Sequence, residues 1–419
     1  MTRSDPHTHS RHKIAEAETH ENQLRKNAIV LGLLAAVGPF AIDMYLPALP
    51  TIAADLHATT AATQMTLTAF FVAFGVSQLV YGPVADMVGR KPPLYFGLLV
   101  FLAASVGCAL ASSVEWLIFF RFVQGVGAAS VMVIPRAIIR DLHTGPEATR
   151  LMALVMLVFS VSPILAPLAG SALIVPFGWR AVFVAVTVAS ILSILLTATL
   201  LPETRPPEER VRAEFASVVG GFGQLLRHGR FLGLTFIGGF GMASFFAFLA
   251  SSSFVYIDHF GLTPMQYSLA FSVNAVGFIG ASQFAAKLGE RFGMARVVTV
   301  AVSCFAAIMT LLLVVTAAGV DNLAVLIAML FVGNAFLGLV IPTTMVLSLD
   351  DHGPIAGMAS ALGGTLQMVA GGLVIVIVSY FFDGTTLPMV AAIALCALAA
   401  LALAYGTLGF RAIAPQPAE

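Results

Sequence analysis

Twelve apolar stretches, each long enough to cross a lipid bilayer as a helix, constrain the fold of this chain more than any other feature. A spanning helix needs about 20 mostly apolar residues. Only 10% of the 419 residues are charged and 59% are hydrophobic, whereas a soluble domain carries about 25% charged residues. We therefore expect an all-α polytopic membrane protein with twelve transmembrane helices. The predicted spans lie near 28–49, 63–82, 93–112, 116–139, 149–172, 180–201, 231–255, 265–287, 296–318, 324–348, 355–381 and 387–409.

One long polar segment divides these spans into two groups of six, which favours two helix bundles around a cavity at the membrane midplane. Within this segment, residues 214–228 place apolar residues at helical spacing. They either lie along the membrane surface as a helix or form part of a flexible tether. The predicted organisation is a polar cytoplasmic tail (1–27), an N-terminal six-helix bundle (28–201), a cytoplasmic central loop (202–230), a C-terminal six-helix bundle (231–409) and a cytoplasmic tail (410–419).

The distribution of basic residues predicts which ends of the spans face the cytoplasm. With both termini inside, every Lys and Arg lies on or near the inner side except Arg121 and Arg180, as the positive-inside rule requires. Trp116 and Trp179 fall at outer ends of spans, where interfacial aromatic residues concentrate. We therefore expect a multi-pass protein with both termini in the cytoplasm.

Several motifs resemble those of one transporter family. GPVADMVGRK (82–91) resembles the signature loop of the major facilitator superfamily, and RFVQGVGAA (121–129) resembles its span-four motif. DMYLPALP in span one, SPILAP in span five and SFVYIDHFGLTPMQYSLAFSVNA (253–275) resemble the bicyclomycin-resistance (Bcr/CflA) branch of drug exporters. The resemblance implies the superfamily's fold and proton-coupled multidrug efflux by alternating access. It also implies a place in the bacterial inner membrane and a role in antibiotic resistance.

The loop after span two carries residues suited to a cytoplasmic gate. Gly82 and Gly89 allow close backbone approach and a tight turn. Asp86 and Arg90 are four residues apart, so they can pair along one helical turn, and Lys91 follows them. The alternative is an ordinary charged loop.

The resemblance also implies partners for this loop. Asp86 is expected to face the start of span eleven, and Arg90 to pair with an acid at the end of span four, here Asp141. Asp350 and Asp351 precede span eleven, so they either compete with Asp86 or bind the basic residues of the loop. Such a network holds one conformation closed on the inner side.

Span five contains Pro163 and Pro167 one turn apart, followed by Gly170. Each proline removes one helix hydrogen bond, and Ser160 and Ser162 are placed to satisfy the released backbone groups. Exporters of the family carry a motif rich in Gly and Pro in this span, which is linked to antiport. A merely kinked helix is the alternative.

Asp43 is the only charge in the apolar part of span one. At 1.5 Å per residue, both Asp43 and Arg121 of span four fall in the outer half of the membrane. An unpaired acid near the centre of a span costs about 2.5–3.5 kcal/mol, so a partner or water is expected. An apolar environment favours a neutral carboxyl, whereas a nearby arginine favours the carboxylate. Asp43 and Arg121 are therefore either the groups that couple protons to transport or a static ion pair between spans one and four.

The remaining cavity candidates are polar or aromatic side chains within apolar spans. Each one alone is also explained by packing. Together they indicate a mostly apolar cavity with few polar groups, which suits amphipathic or lipophilic compounds. The set is Tyr45, Gln78, Gln124, Phe248, Tyr256, Asn274, Asn334 and Gln367.

Other functional classes find little support in the sequence. It has no metal-ligand spacing, no nucleophile and base at one depth, and no G-x-x-x-x-G-K-[ST] phosphate loop. We therefore expect a transporter and not an enzyme, driven by the proton gradient without a metal or cofactor. Its expected partners are a small molecule, protons and the bilayer, but not nucleic acid, and the chain is expected to act as a monomer. An exporter dedicated to one endogenous metabolite, such as an amino acid or a siderophore-like compound, is the alternative function.

Overall fold

The described part of the chain contains twelve helical spans that are long and apolar enough to cross a membrane. The predicted number of spans is therefore confirmed. The computed structural model describes residues 27, 29–142, 145–210 and 215–409. Apart from Asn27, both predicted tails lie outside the described residues. We call the end of the helices that carries the loop 82–91 the basic end, and the other end the closed end.

The first half contains spans one to six. Span one consists of two helices, α1 and α2, and each later span of this half is a single helix. The helices are α1 (29–43), α2 (Leu49–Asp55), α3 (Thr60–Val88), α4 (Lys91–Ala109), α5 (Val114–Leu142), α6 (Gly145–Phe177) and α7 (Arg180–Leu200).

The second half follows α8 (Phe215–Arg227) and contains spans seven to twelve. Its first helix, α9 (Gly229–Ser253), continues as a π-helical turn over Phe254–His259. Span eight consists of α10 and α11. The remaining helices are α10 (Pro264–Ser282), α11 (Ala285–Phe292), α12 (Met294–Ala317), α13 (Leu323–Asp350), α14 (Ala356–Phe381) and α15 (Thr386–Leu408).

Local sequence determines several helix ends. The Thr59 side chain caps α3 by accepting a hydrogen bond from the backbone N–H of Ala62 (3.1 Å). Thr263 and Gln266 form a capping box at the start of α10. Gly89 follows α3 with φ +99°, a conformation that glycine adopts without strain. This turn leads the chain directly into α4.

Span one is broken, although the sequence predicts a continuous span over 28–49. Its first α-helix ends at residue 43, a turn and a 3-10 segment (Leu46–Ala48) follow, and α2 completes the span. Pro47 and Pro50 lack the N–H group that a continuous α-helix needs, which accounts for the break. Asp43 is consequently the last residue of α1.

The two halves pack together through α3 with α14 and α6 with α10. Gly75 lets α14 approach α3 closely, because a methyl group at this position would collide with the side chain of Met368. Thr365 Oγ1 donates a hydrogen bond to the carbonyl oxygen of Gly75 (2.6 Å). The rings of Phe71 and Phe246 stack across the same boundary, with their centres 4.0 Å apart. This packing brings the halves into direct contact.

Neutral hydrogen bonds join the halves near the closed end. Gln64 Nε2 donates to the carbonyl oxygen of Ala250 (3.0 Å). The hydroxyls of Ser171 and Ser268 lie 2.7 Å apart, and Ser268 Oγ also donates to the carbonyl oxygen of Pro167 (2.8 Å). Gln64 is near the start of α3, Ser171 near the end of α6 and Ser268 near the start of α10. These three helix ends therefore close this side of the molecule.

The central loop contains a docked helix. Leu225 of α8 is fully buried in a cluster with Phe231 of α9 and Leu362 of α14, and Gly221 lies against Met358. Of the two interpretations that the sequence left open for 214–228, the helix is present, and it packs on the second half at the basic end.

Candidate functional site

Asp43 is buried at the break in span one, with 6% of its surface exposed. Ser162 of α6 lies beside its carboxylate, and Tyr267 of α10 is close enough to interact with it electrostatically. No ion pair between described residues includes Asp43. The 3-10 segment that follows Asp43 contacts α6, α9 and α10. Asp43 therefore lies where spans one, five, seven and eight meet.

Arg121 of α5 is fully buried and is held by neutral groups. Its Nη1 donates to the carbonyl oxygen of Ala41 (3.3 Å) and to Oε1 of Gln124 (2.6 Å). The guanidinium lies 4.7 Å from the ring centre of Tyr45 and 4.4 Å from that of Phe70, which is favourable cation–π geometry. Among the described residues, Nε and Nη2 have no hydrogen-bond partner. Aromatic rings and oxygen dipoles thus take the place of a carboxylate.

The two buried charges share a depth but lie on different faces of span one. Arg121 contacts Ala41 and Tyr45, which bracket Asp43 in the sequence. Arg121 reaches span one from α5 through the carbonyl oxygen of Ala41, whereas the carboxylate of Asp43 lies beside Ser162 of α6. The static ion pair that the sequence left open is absent from this structure.

Span five approaches span one at a glycine. Pro163 and Pro167 lie inside α6 without ending it. A methyl group at Gly170 would collide with the carbonyl oxygen of Met44, the residue after Asp43. Gly170 therefore permits the contact that brings span five against the break in span one.

The two serines of span five differ from their expected role. Ser160 Oγ donates to the carbonyl oxygen of Met156 (3.0 Å), which is not a carbonyl released by either proline. Ser162 Oγ is buried without a backbone partner in the described structure and lies beside Asp43. The expectation that Ser162 repairs the backbone is therefore wrong. Ser162 belongs to the surroundings of Asp43, which the spacing of prolines alone could not show.

Arg90 is the centre of an ionic network at the basic end. Its Nε and Nη2 bond to the two carboxylate oxygens of Asp141 (2.7 and 3.1 Å), and its Nη1 bonds to Asp86 (2.7 Å). Such two-pronged arginine–carboxylate contacts are among the strongest hydrogen bonds in proteins. The pairing of Arg90 with Asp141 that the resemblance implies is thus present in the structure.

Glu203, which the sequence did not single out, holds the start of α4. Its carboxylate accepts hydrogen bonds from the backbone N–H groups of Arg90 (2.8 Å) and Lys91 (3.0 Å). A carboxylate is favoured there because the first N–H groups of a helix lack partners within the helix. Partial burial opposes the charge on Glu203, but the N–H groups of Arg90, Lys91 and Arg205 hold its pKa below the ordinary value.

The residues next to Glu203 extend the network. Thr204 Oγ1 donates to Asp141 (3.1 Å) and Arg205 Nη1 to Asp86 (3.0 Å). Lys91 Nζ donates to the carbonyl oxygen of Leu201 (2.8 Å). The sequence does contain a sign of these contacts, the run Glu-Thr-Arg directly after span six. The end of span six must lie at the same membrane surface as the loop 82–91.

Among the described residues, Asp86 forms no hydrogen bond or ion pair with span eleven. Its partners are Arg90 and Arg205. Of the acids before span eleven, Asp351 pairs with Arg230 (3.0 Å) and not with the loop. The contact between Asp86 and span eleven that the resemblance implies is therefore not made by a hydrogen bond or ion pair in this structure, and the network described above joins the first half to the residues that follow span six.

The two glycines of the loop play different parts. Gly89 lies against the Glu203 carboxylate and has the positive φ that the tight turn requires. Gly82 lies inside α3, and apart from the neighbouring backbone of its own helix no atom lies within 4 Å of the place where its side chain would begin. The expected close approach is therefore found at Gly89 but not at Gly82.

Two cavity candidates of the first half belong to the surroundings of Arg121. Tyr45 Oη bonds to Thr66 Oγ1 (2.8 Å) while its ring lies below the guanidinium. Gln124 accepts from Arg121 and donates to Ser105 Oγ (2.8 Å). Both are fully buried, so they hold the arginine inside the first half.

A second cluster lies in the second half. The ring centres of Phe248 and Tyr256 are 6.3 Å apart, and Tyr256 lies next to Asn274. Asn334 Nδ2 donates to Asn274 Oδ1 (3.5 Å). All four are buried, so they form an aromatic and amide cluster.

Gln78 of α3 and Gln367 of α14 form a third group, where the two halves meet. Gln78 of α3 lies near Gly364, and Gln367 near Gly238 of α9. Both are partly exposed. The eight candidates thus form three separate groups.

Residues 31–376 match the model of the Major Facilitator Superfamily. The chain belongs to this superfamily. The transporter is 35% identical to an uncharacterized MFS-type transporter, YdgK, of Bacillus subtilis (strain 168), over 86% of its own length and 90% of the relative. It is 29% identical to a bicyclomycin resistance protein homolog of Haemophilus influenzae, over 90% of its own length and 94% of the relative. It is also 31% identical to Multidrug resistance protein D of Escherichia coli (strain K12), over 82% of its own length and 86% of the relative, which places it with the drug-efflux branch, as the motifs suggest.

Solved structures show the same fold. A bacterial homolog of the human lysosomal transporter Spinster, in an inward-facing and unoccupied conformation, aligns with a TM-score of 0.72 at 16% identity. The alignment covers 95% of this chain and 99% of that one. The predicted superfamily fold is therefore confirmed. The chain is a transporter and not an enzyme, and it is a multi-pass protein of the bacterial inner membrane.

Proposed function

We propose that this transporter exports drugs or drug-like amphipathic molecules in exchange for protons by alternating access. Its similarity to a bicyclomycin resistance protein homolog supports drug-like substrates. The mostly apolar spans, which contain separate aromatic and amide groups, also suit ligands with an apolar body and few polar atoms. The basic end is taken as cytoplasmic because of its Lys and Arg residues.

The position of Asp43 carries the proposal. Burying a carboxylate without a cation costs several kcal/mol unless a proton or water compensates it. Asp43 is buried, forms no ion pair with a described residue, and adjoins a segment that contacts α6, α9 and α10. Opening and closing of the halves at this point therefore change its surroundings, so protonation and conformation are thermodynamically linked.

The exchange follows from this linkage. A neutral Asp43 is compatible with the closed end as it stands, where spans one and five pack against spans seven and eight. When the proton leaves toward the basic end, the charge needs water, a substrate cation or a new conformation. Uptake of a proton from the outer side then restores the neutral form. Arg121 of α5 keeps a fixed positive charge and holds span one to α5 through the carbonyl oxygen of Ala41, two residues before Asp43.

Inverted membrane vesicles with an acidic interior and a pH-sensitive dye test the proposal. Several unrelated amphipathic drugs are expected to release protons from vesicles that contain the full-length transporter. Asp43→Asn is expected to abolish this release while the amount of protein in the membrane stays the same. Asp55→Asn is the matched control, since Asp55 lies in the same span but pairs with Arg180 at the surface.

Three outcomes would contradict the proposal in distinct ways. Release by a single metabolite would favour a dedicated exporter. Release by no compound would remove support for proton-coupled export altogether. Normal release by Asp43→Asn would show that the proton binds elsewhere.

A further inference from the structure

An apolar groove lies on the flank of the second half, near the basic end. Its volume is about 360 Å³, at the lower end of the roughly 300–1,000 Å³ that small-molecule pockets occupy. It lies between α11, α12 and α13, and α12 packs against helices of the second half, α11, α13 and α15. The groove is therefore on the side of α12 and away from the junction of the halves. Its lining includes Leu288, Phe292, Arg296, Val300, Phe336 and Leu339.

The groove extends from the membrane surface into one leaflet. Arg296 lies in the first turn of α12, which begins at Met294. Val300 is roughly 6 Å further along at 1.5 Å per residue, within one leaflet of a hydrocarbon core about 30 Å thick. Phe292 and Val300 are 48% and 47% exposed. An acyl chain of a neighbouring lipid can therefore reach these apolar surfaces directly.

The rim of the groove is positively charged. Arg296 is the only charged residue in the lining, and within the described part of the chain its side chain has neither an ion pair nor a hydrogen bond. Lys287 and Arg291 are exposed on α11, where Glu290 is the only acid. The cations thus exceed the acids here, and Arg296 has no counter-ion among the described residues.

We propose that this groove binds an anionic phospholipid of the cytoplasmic leaflet. One acyl chain lies along Phe292, Val300 and Leu339, and the phosphate lies at Arg296. Basic pockets between spans at the cytoplasmic surface are suited to anionic headgroups, and the unpaired guanidinium supplies donors for phosphate oxygens. The N–H groups at the start of α12 point to the same region and favour an anion there.

Native mass spectrometry of the purified full-length transporter tests this site. The protein is titrated with phosphatidylglycerol or with phosphatidylcholine that carries the same acyl chains. We expect tighter binding of phosphatidylglycerol, and Arg296→Gln should weaken it about fivefold, the factor set by about 1 kcal/mol per basic residue near an anionic surface. Phosphatidylcholine binding should fall by less, because its choline group offsets the charge of its phosphate. Val300→Trp, which fills the groove, should weaken both lipids.

Arg227→Gln is the matched control, because Arg227 is an exposed arginine of α8 at the same end of the molecule. Equal binding of the two lipids by the unmodified transporter would overturn the proposal. An equal loss in Arg227→Gln and Arg296→Gln would assign the preference to general surface charge. Unchanged lipid binding by Val300→Trp would place the lipid outside the groove. Binding is compared only among variants whose unfolding temperatures equal that of the unmodified transporter, so that misfolding is not mistaken for lost binding.

Discussion

Arg121 donates a hydrogen bond to the carbonyl oxygen of Ala41, two residues before Asp43, yet no ion pair joins Arg121 to Asp43. The arginine is accommodated by Gln124 and two aromatic rings. The aspartate lies on another side of span one, beside Ser162. Asp43 can therefore gain or lose a proton without directly breaking a bond to Arg121.

A double substitution tests this independence. In a buried ion pair, removing one partner is harmful chiefly because the other is left unpaired, so removing both restores part of the loss. We expect no such rescue: Asp43→Asn with Arg121→Gln should release no more protons in the vesicle assay than the weaker single variant. Arg121→Lys is the companion variant, since it keeps the charge but loses the planar guanidinium. Recovery of transport in the double variant would point to a direct pair in another state of the cycle.

Glu203→Gln should destabilise the basic end by about 1 kcal/mol, because a neutral amide is a weaker acceptor for the N–H groups of Arg90 and Lys91. Thermal unfolding in detergent measures the effect. Glu208→Gln is the control, since Glu208 is exposed in the same segment. An equal change in both variants would mean that the loss of charge alone matters.

The Glu203 effect should also depend on pH. The pKa of Glu203 is lower in the folded protein than its ordinary value, so its contribution is fully present above the unfolded pKa of about 4.3. It is lost as the pH falls through the lower folded value. The difference in unfolding temperature between the unmodified transporter and Glu203→Gln should thus be constant near pH 7 and shrink below about pH 4.3. A difference that grows on acidification would contradict this assignment.

Gly170→Ala should weaken the contact between spans one and five, since the added methyl group collides with the carbonyl oxygen of Met44. Overpacking of this kind costs about 1–3 kcal/mol. Both the unfolding temperature and the transport rate should fall. Gly280→Ala provides the comparison within a membrane helix, because no atom lies within 4 Å of the added carbon there. Normal stability and transport in Gly170→Ala would show that the break in span one shifts at little energetic cost to accommodate the methyl group.

Ser268→Ala should favour opening at the closed end. It removes the contacts with Ser171 and with the carbonyl oxygen of Pro167. The loss of one hydrogen bond, worth about 1 kcal/mol, should raise the ratio of molecules open at this end to molecules closed there roughly fivefold. Spin labels at Ser112 and Ala318, which are exposed in loops of the two halves at this end, should report a larger fraction of long distances.

The control for this measurement is Ser282→Ala. Ser282 lies at the other end of α10 and donates to the carbonyl oxygen of Ile279 within its own helix. Its removal should leave the distance distribution unchanged. The same distribution in Ser268→Ala and the unmodified transporter would show that packing, and not these hydrogen bonds, closes this end.

The sequence predicts the spans well because crossing a bilayer requires about 20 apolar residues regardless of tertiary contacts. It also predicts the depth shared by Asp43 and Arg121, since depth follows from rise per residue. The face of a helix is harder to predict in an apolar span, where nearly every position is hydrophobic and no stripe marks the interior. For that reason the sequence does not predict the contact of Asp43 with span five.

The basic-end network shows a second limit of the sequence. The pairing of Arg90 with Asp141 follows a motif, but the contacts of Glu203 depend on where the end of span six lies beside the start of span three. The position of Asp86 depends on the conformation of the whole carrier as well as on its local sequence. Such contacts arise from the arrangement of helices, which local spacing does not determine.

The docking of α8 limits how far the halves can move apart. Arg205 is attached to the first half through Asp86, and α8, from Phe215, packs on the second half. The chain between Arg205 and Phe215 can extend to roughly 35 Å, at 3.3–3.6 Å per residue. The connection thus works as a strap of fixed maximum length across the basic end, and a substitution that releases either attachment would remove this limit without touching the transport path.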